Sequence, residues 1–206
     1  AYAYTGSGTA AAAAAATPAA NGLTVAEDLS IVGPVGTANT TADAGDSAKQ
    51  TANRINALTS QTGVSATAQT YAQLSSVSAA GESYAIKING ISSGNFTFSS
   101  ASAEDAVRAI NSVAGSTGVT ATSTSDGKVL MFDSDGDDIS IENDATGTSL
   151  TVQKMDYAGT ESVGVSIALA ASGRASPFSQ SSSMYAWISS SSVMMLAGQG
   201  FLDRSN

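Results

Sequence analysis

Apolar residues fall at three- and four-residue steps between residues 103 and 114, and the period drops to two soon afterwards. Ala103, Ala106, Val107, Ile110, Val113 and Ala114 share one face, with Glu104, Asp105 and Arg108 opposite, so the spacing predicts an amphipathic helix. Ser102 is placed to cap its N-terminus, and Glu104 and Asp105 meet the positive end of the helix dipole. Gly115 or Gly118 ends it. Beyond Gly118, Val119, Ala121 and Ser123 alternate with Thr120, Thr122 and Thr124, which reads as a half-buried strand. Residues 125–128, Ser-Asp-Gly-Lys, predict a hairpin turn. Residues 129–132 then form the return strand, 133–138 a second polar turn and 139–141 a third strand. The predicted unit is one helix lying on a small antiparallel sheet.

The first half of this unit occurs twice. Residues 47–67, SAKQTANRINALTSQTGVSAT, align without a gap under residues 102–122, SAEDAVRAINSVAGSTGVTAT. Ile55 falls under Ile110 and Gly63-Val64 under Gly118-Val119, a constant separation of 55 positions. The earlier copy carries the helical period at Ala48, Ala52, Ile55 and Leu58. Upstream, residues 29–32 stand at the same offset from residues 84–87, so each copy is expected to run strand, polar loop, helix, strand. One unit cannot bury its helix on both sides, which is a physical reason to duplicate it.

Elsewhere the pattern is thinner. Residues 1–18 are low in complexity, and the Ala10–Ala16 tract stopped by Pro18 reads as either a linker or a capping helix. The chain opens on Ala1 rather than Met, as expected of an excised or processed piece. Short strands are expected at 23–25 and at 29–32, the latter ended by Gly33-Pro34, and residues 37–45 are expected to be a loop. Residues 143–147 predict a turn and 149–154 a strand. After a polar gap at 156–162, Val163, Val165, Ile167 and Leu169 alternate as another strand. From 171 onward, serine runs surround residues 184–188 and 193–196, which read as either two adhesive strands or an arm.

Composition narrows the chemistry. The 206 residues carry a net charge of −9, with a pI near 4.1, which repels nucleic acid and anionic lipid. The chain has no His and no Cys, so Ser-His-Asp and Cys-His catalysis, ordinary zinc sites, disulfides and thiol redox chemistry are all removed. No apolar run reaches membrane-spanning length. The acidic stretch Asp133-Ser134-Asp135-Gly136-Asp137-Asp138 has alternating carboxylates, but its Gly stands fourth and Glu142 tenth. An EF-hand loop needs Gly sixth and a bidentate Glu twelfth, so a structural turn is preferred to a weak cation site. A carboxylate pair for glycoside hydrolysis cannot be placed across a cleft by spacing. The Gly-bearing loop 36–46 lacks the Lys and the spacing of a phosphate loop. Asn39 and Asn95 head formal N-glycosylation sequons. No catalytic, cofactor-binding or metal-ligating residue is assigned, and no cofactor is called for.

The ordered set Tyr84-Ala85-Ile86-Lys87-Ile88-Asn89-Gly90-Ile91, Asp105-Ala106-Val107-Arg108-Ala109-Ile110-Asn111, Thr117-Gly118-Val119-Thr120-Ala121, Ser125-Asp126-Gly127 and Gly136-Asp137-Asp138-Ile139-Ser140-Ile141 resembles the IN repeat of bacterial flagellins and hook-associated proteins. With the weaker first copy, the resemblance covers about residues 29–169. The expected fold is α+β: two tandem small antiparallel-sheet units, each packed by one helix, with a β-rich C-terminal segment. The expected division is a linker at 1–22, repeats at 23–82 and 83–170, and a Ser/Met-rich tail or further partial domain at 171–206. The coiled-coil-like terminal helices that polymerise that family have no counterpart here, so the chain is either an excised variable region or a hook-associated or cap relative. The resemblance implies a non-catalytic, surface-exposed outer domain of a filament subunit, extracellular on the flagellum, meeting neighbouring flagellin subunits or the filament surface. It also allows O-linked sugars on the many Ser and Thr. The alternative is an adhesin or carbohydrate-binding module facing a host receptor or glycan through Tyr71, Tyr84 and Tyr157 or the Met/Trp-rich tail. No nucleic-acid or membrane partner is expected.

Overall fold

The computed structural model describes residues 26–144 and 149–169, with strand segments at 2–4, 12–13, 174–175, 184–188 and 194–197. In chain order these are β1 (Tyr2–Tyr4), β2 (Ala12–Ala13), β3 (Glu27–Val32), β4 (Thr37–Ala42), α1 (Ala48–Asn56), α2 (Thr59–Thr62), β5 (Val64–Ala68) and β6 (Thr70–Ser76). There follow β7 (Glu82–Ile88), β8 (Ile91–Phe98), α3 (Glu104–Ser112), α4 (Ala114–Thr117), β9 (Val119–Ser123), β10 (Val129–Asp133) and β11 (Ile141–Asn143). The last are β12 (Leu150–Met155), β13 (Ser162–Leu169), β14 (Arg174–Ala175), β15 (Met184–Ile188) and β16 (Met194–Ala197). The class is α+β, with antiparallel sheets packed by helices.

The two copies fold alike. α2 and α4, and likewise β5 and β9, keep the 55-residue offset seen in the sequence. Each helical stretch ends on a glycine in the left-handed region, Gly63 at φ 74° and Gly118 at φ 77°, where a Cβ would be strained. The helix of each copy bridges the ends of two sheets, α1 lying between β4 and β5 and α3 between β8 and β9. Apolar faces follow the predicted period: Ala48, Ala52 and Ile55 are buried in α1, and Ala106 and Ile110 in α3.

Several local expectations are corrected. Residues 37–45 are not wholly a loop, because β4 pairs antiparallel with β3 in full register, and a Thr-rich stretch suits an edge strand with one buried residue, Ala42. Each copy therefore opens with a hairpin, β3–β4 or β7–β8. Asn89 and Gly90, both at positive φ, form the tight turn of the second. Ser102 does not cap α3. It is held in a bridge with Ser99, whose Oγ accepts its N–H (3.1 Å), so the helix starts one residue later with Ala103 as N-cap. Ser47, at the equivalent position, does cap α1 and forms a capping box with Gln50. β11 is not a third strand beside β10; it crosses to pair with β7 in the facing sheet. Ala12 and Ala13 are extended against β14 rather than helical, since a short alanine run gains little from helix alone. The expected strand at 23–25 and most of the turn at 143–147 lie outside the described residues.

Strand order shows how the copies are nested. After β5 the chain crosses through Gln69 alone into β6, which sits between β12 and β10 in the five-stranded sheet β13-β12-β6-β10-β9. The facing sheet is β2-β14-β11-β7-β8. β5 receives its partner from β15, with Met184 opposite Ala68, as β9 receives β10 with Val129 opposite Ser123. β16 pairs with β3 as β11 pairs with β7. The tail residues 184–188 and 194–197 are thus extended strands that complete the first copy, and the second copy lies within the chain path of the first. The buried apolar side chains form separate groups. Tyr84, Phe98, Ile110, Met131 and Leu150 belong to a large cluster of the second copy, while Ile31, Ala52, Ile55, Val64 and Ala66 form a smaller one in the first.

Candidate functional site

The most specific geometry in the chain is the Ile-Asn pair at each helix end. Ile55 and Ile110 are both fully buried, each in its own cluster. The asparagine that follows turns its amide back onto the next strand. Asn56 Nδ2 donates to the Ala66 carbonyl (2.9 Å) and its Oδ1 accepts the Ala66 N–H (2.8 Å). Asn111 does the same with Ala121, at 2.9 and 2.7 Å. β5 and β9 are end strands of their sheets, so each asparagine amide substitutes for one peptide group of a missing neighbour strand. A threonine completes the motif. Thr62 and Thr117 hydroxyls donate to the carbonyls of Leu58 and Val113 and accept the N–H groups of Val64 and Val119 (both 3.2 Å). Helix and strand are locked together by the same two side chains in both copies. This clasp was legible only as a matched Asn and Thr at a constant offset.

The acidic turn 133–138 is occupied by its own protein. Asp133 is buried, and its Oδ1 accepts the N–H groups of Asp135 (2.9 Å) and Asp137 (3.1 Å). Burial pushes its carboxyl above the ordinary range, against those backbone hydrogen bonds. Lys49 of α1 reaches Asp137 (2.7 Å) and Asp135 (3.3 Å). Those hydrogen bonds, Asp137 first, raise the Lys49 pKa. Among the described residues no group of three or more acidic, His or Cys side chains is placed to hold a metal ion.

The three tyrosines do not converge on one surface. Tyr84 is in the core, its hydroxyl 2.9 Å from Ser76 Oγ and its ring against Phe96 and Phe98. Tyr71 stacks on Phe132 at 4.6 Å, and Gly159 lies against its ring, so that a Cβ there would stand 2.9 Å away. Burial raises the Tyr71 pKa, with Tyr157 and Asp156 adding to it. Tyr157 is half-buried, its hydroxyl 3.3 Å from Thr67 Oγ1. The tail's side chains lie outside the described residues. Asn39 and Asn95 are both exposed, on the equivalent strands β4 and β8.

The flagellin hook IN motif matches this chain twice, over residues 28–80 and 85–136, together half of its length. Each match contains an opening hairpin (β3–β4 or β7–β8), a pair of successive helices and one Ile-Asn clasp. No curated protein matches the chain. A pair of motif copies that fold alike, with the same asparagine holding the same strand, places the chain in the family of the flagellin hook IN motif.

Proposed function

We propose that this chain is the surface-exposed outer region of a bacterial flagellar filament subunit, a structural element rather than an enzyme, extracellular and set against neighbouring subunits. The observation that carries the reading is the Ile-Asn clasp, present twice within matches to a flagellar structural family. The recognition alternative gains little from the tyrosines named for it, since Tyr84 is buried and the Tyr71 ring is stacked on Phe132 with Gly159 close against it.

An epitope inserted after Ala80, in the exposed loop between β6 and β7, tests the reading in the full-length protein on cells. Antibody is expected to decorate intact filaments along their length with swimming retained. Label that appears only after lysis, or away from the flagellum, would overturn it.

A further inference from the structure

The two copies do not share an apolar core: among the described residues, one buried cluster runs from Ala72 to Leu169 and the other groups lie between Leu29 and Ala68. Hydrogen bonds and ion pairs join them, together with the close approach of Gly136 to Ala68, around the crossing at 67–69. Gln69 Nε2 donates to the Tyr157 carbonyl (2.8 Å), and Thr67 Oγ1 meets the Tyr157 hydroxyl (3.3 Å). On the other side the acidic turn docks on α1. The Lys49 N–H donates to the Gly136 carbonyl (3.0 Å) and the Lys49 ammonium pairs with Asp137 and Asp135. Gly136 is pressed so close that a Cβ would lie 2.4 Å from Ala68 Cβ.

Charge distribution makes this docking specific. α3 carries Glu104 and Asp105 in its own first turn, whereas α1 has no acidic residue there. The turn 133–138 of the second copy adds negative charge at the start of α1, beyond that of Asp46 just before the N-cap, where it complements the helix dipole. Interfaces of this kind, small and polar, leave relative motion open, unlike large apolar ones.

We propose that residues 67–69 are a hinge between the two copies and that the acidic turn 133–138 is its latch, closed by Lys49 and released as ionic strength rises. The latch is partly exposed on both sides, with side-chain exposure of 39% at Lys49 and 50% at Asp137, so salt reaches it. The hinge stands on contacts within the chain and is independent of what the chain is attached to. Opening it would let the second copy swing without unfolding either core.

The chain contains no Cys, so Asn39→Cys and Asn95→Cys, one exposed position in each copy, give two unique spin-label sites in the full chain. Pulsed dipolar spectroscopy is expected to show one narrow distance at low salt. That peak is lost in about 1 M salt, where the screening length is about 3 Å, and is lost at low salt in Lys49→Glu. Asp135→Asn combined with Asp137→Asn leaves α1 unaltered and decides the matter if Lys49→Glu fails to fold; it too should lose the narrow peak. Lys128→Glu breaks a pair with Asp126 inside the second copy and should keep it. A narrow peak surviving in the double Asp variant, or equal broadening by Lys128→Glu, would overturn the proposal.

Discussion

Replacing Asn111 by Ala removes two hydrogen bonds to Ala121 and opens the outer edge of β9. The bonds measure 2.9 and 2.7 Å, and each is worth a net ~0.5–1.5 kcal/mol. Asn111 is itself exposed, so water can replace part of what is lost, which places the cost at about 1–2 kcal/mol. Urea unfolding of the full chain should show a lower midpoint with an unchanged slope, because the compactness of neither end state changes. Asn111→Asp separates the two bonds. It keeps an oxygen for the Ala121 N–H but turns a second oxygen toward the Ala121 carbonyl, so at neutral pH it should cost at least as much as Ala. Part of that stability should return as the carboxyl protonates, since only its protonated form can donate to the carbonyl. Asn56→Ala should cost the same as Asn111→Ala, and the two should add, because the clasps lie in separate clusters. An Asn111→Ala effect within about 0.5 kcal/mol, the ordinary range for surface changes, would refute the clasp as a structural element.

Other perturbations probe the same frame. Ile110→Ala should cost about 2–5 kcal/mol by thermal or urea unfolding, and Ile110→Asp more, because an unpaired carboxylate would lose its hydration in the core. Ser47→Ala should cost ~0.5–2 kcal/mol through loss of the capping box, while Ser102→Ala, which removes no cap, should change the midpoint little. Lys154 is buried and its pKa is lowered by desolvation, so the folded state disfavours its charged form. The parent should therefore gain stability as pH rises from the depressed folded value toward about 10.4, and Lys154→Met should lose that rise in pH-dependent unfolding. Asp133 has the opposite sense: its raised carboxyl binds a proton more readily folded than unfolded. Its favourable contribution is complete below the unfolded value near ~3.9 and is lost as pH rises through the folded value; Asp133→Asn should flatten that part of the curve.

What the sequence discloses depends on how local the cause is. The buried faces at Ile55 and Ile110 were legible because a helix repeats its side every three or four residues, and Gly63 and Gly118 because a helix that turns sharply needs a left-handed residue. β4 was missed because Thr and Asn at an edge strand look like a loop when only Ala42 is buried. The Asn89-Gly90 turn, by contrast, was a signal for the β7–β8 hairpin that could have been used. Pairings such as β11 with β7, or β15 with β5, join residues far apart in sequence, and no local pattern specifies them. The missing cap at Ser102 follows from its bridge with Ser99, three residues upstream, which holds it short of the helix start and leaves Ala103 as the N-cap. The Asn clasp needed the comparison of two copies: one asparagine after a helix is unremarkable, but two at the same offset before a strand imply a shared task. The docking of Lys49 on the acidic turn spans more than 80 residues and was invisible until the fold placed them together.

Amide hydrogen exchange at Ala66 and Ala121 tests the duplicated clasp most directly. Both N–H groups sit on end strands that water would otherwise reach, and each is held by the asparagine ten residues earlier. Matched protection at the two alanines, lost at Ala66 in Asn56→Ala and at Ala121 in Asn111→Ala, is the result expected. Fast exchange at either alanine in the unaltered chain would contradict the claim that one small helix-on-sheet unit was built twice.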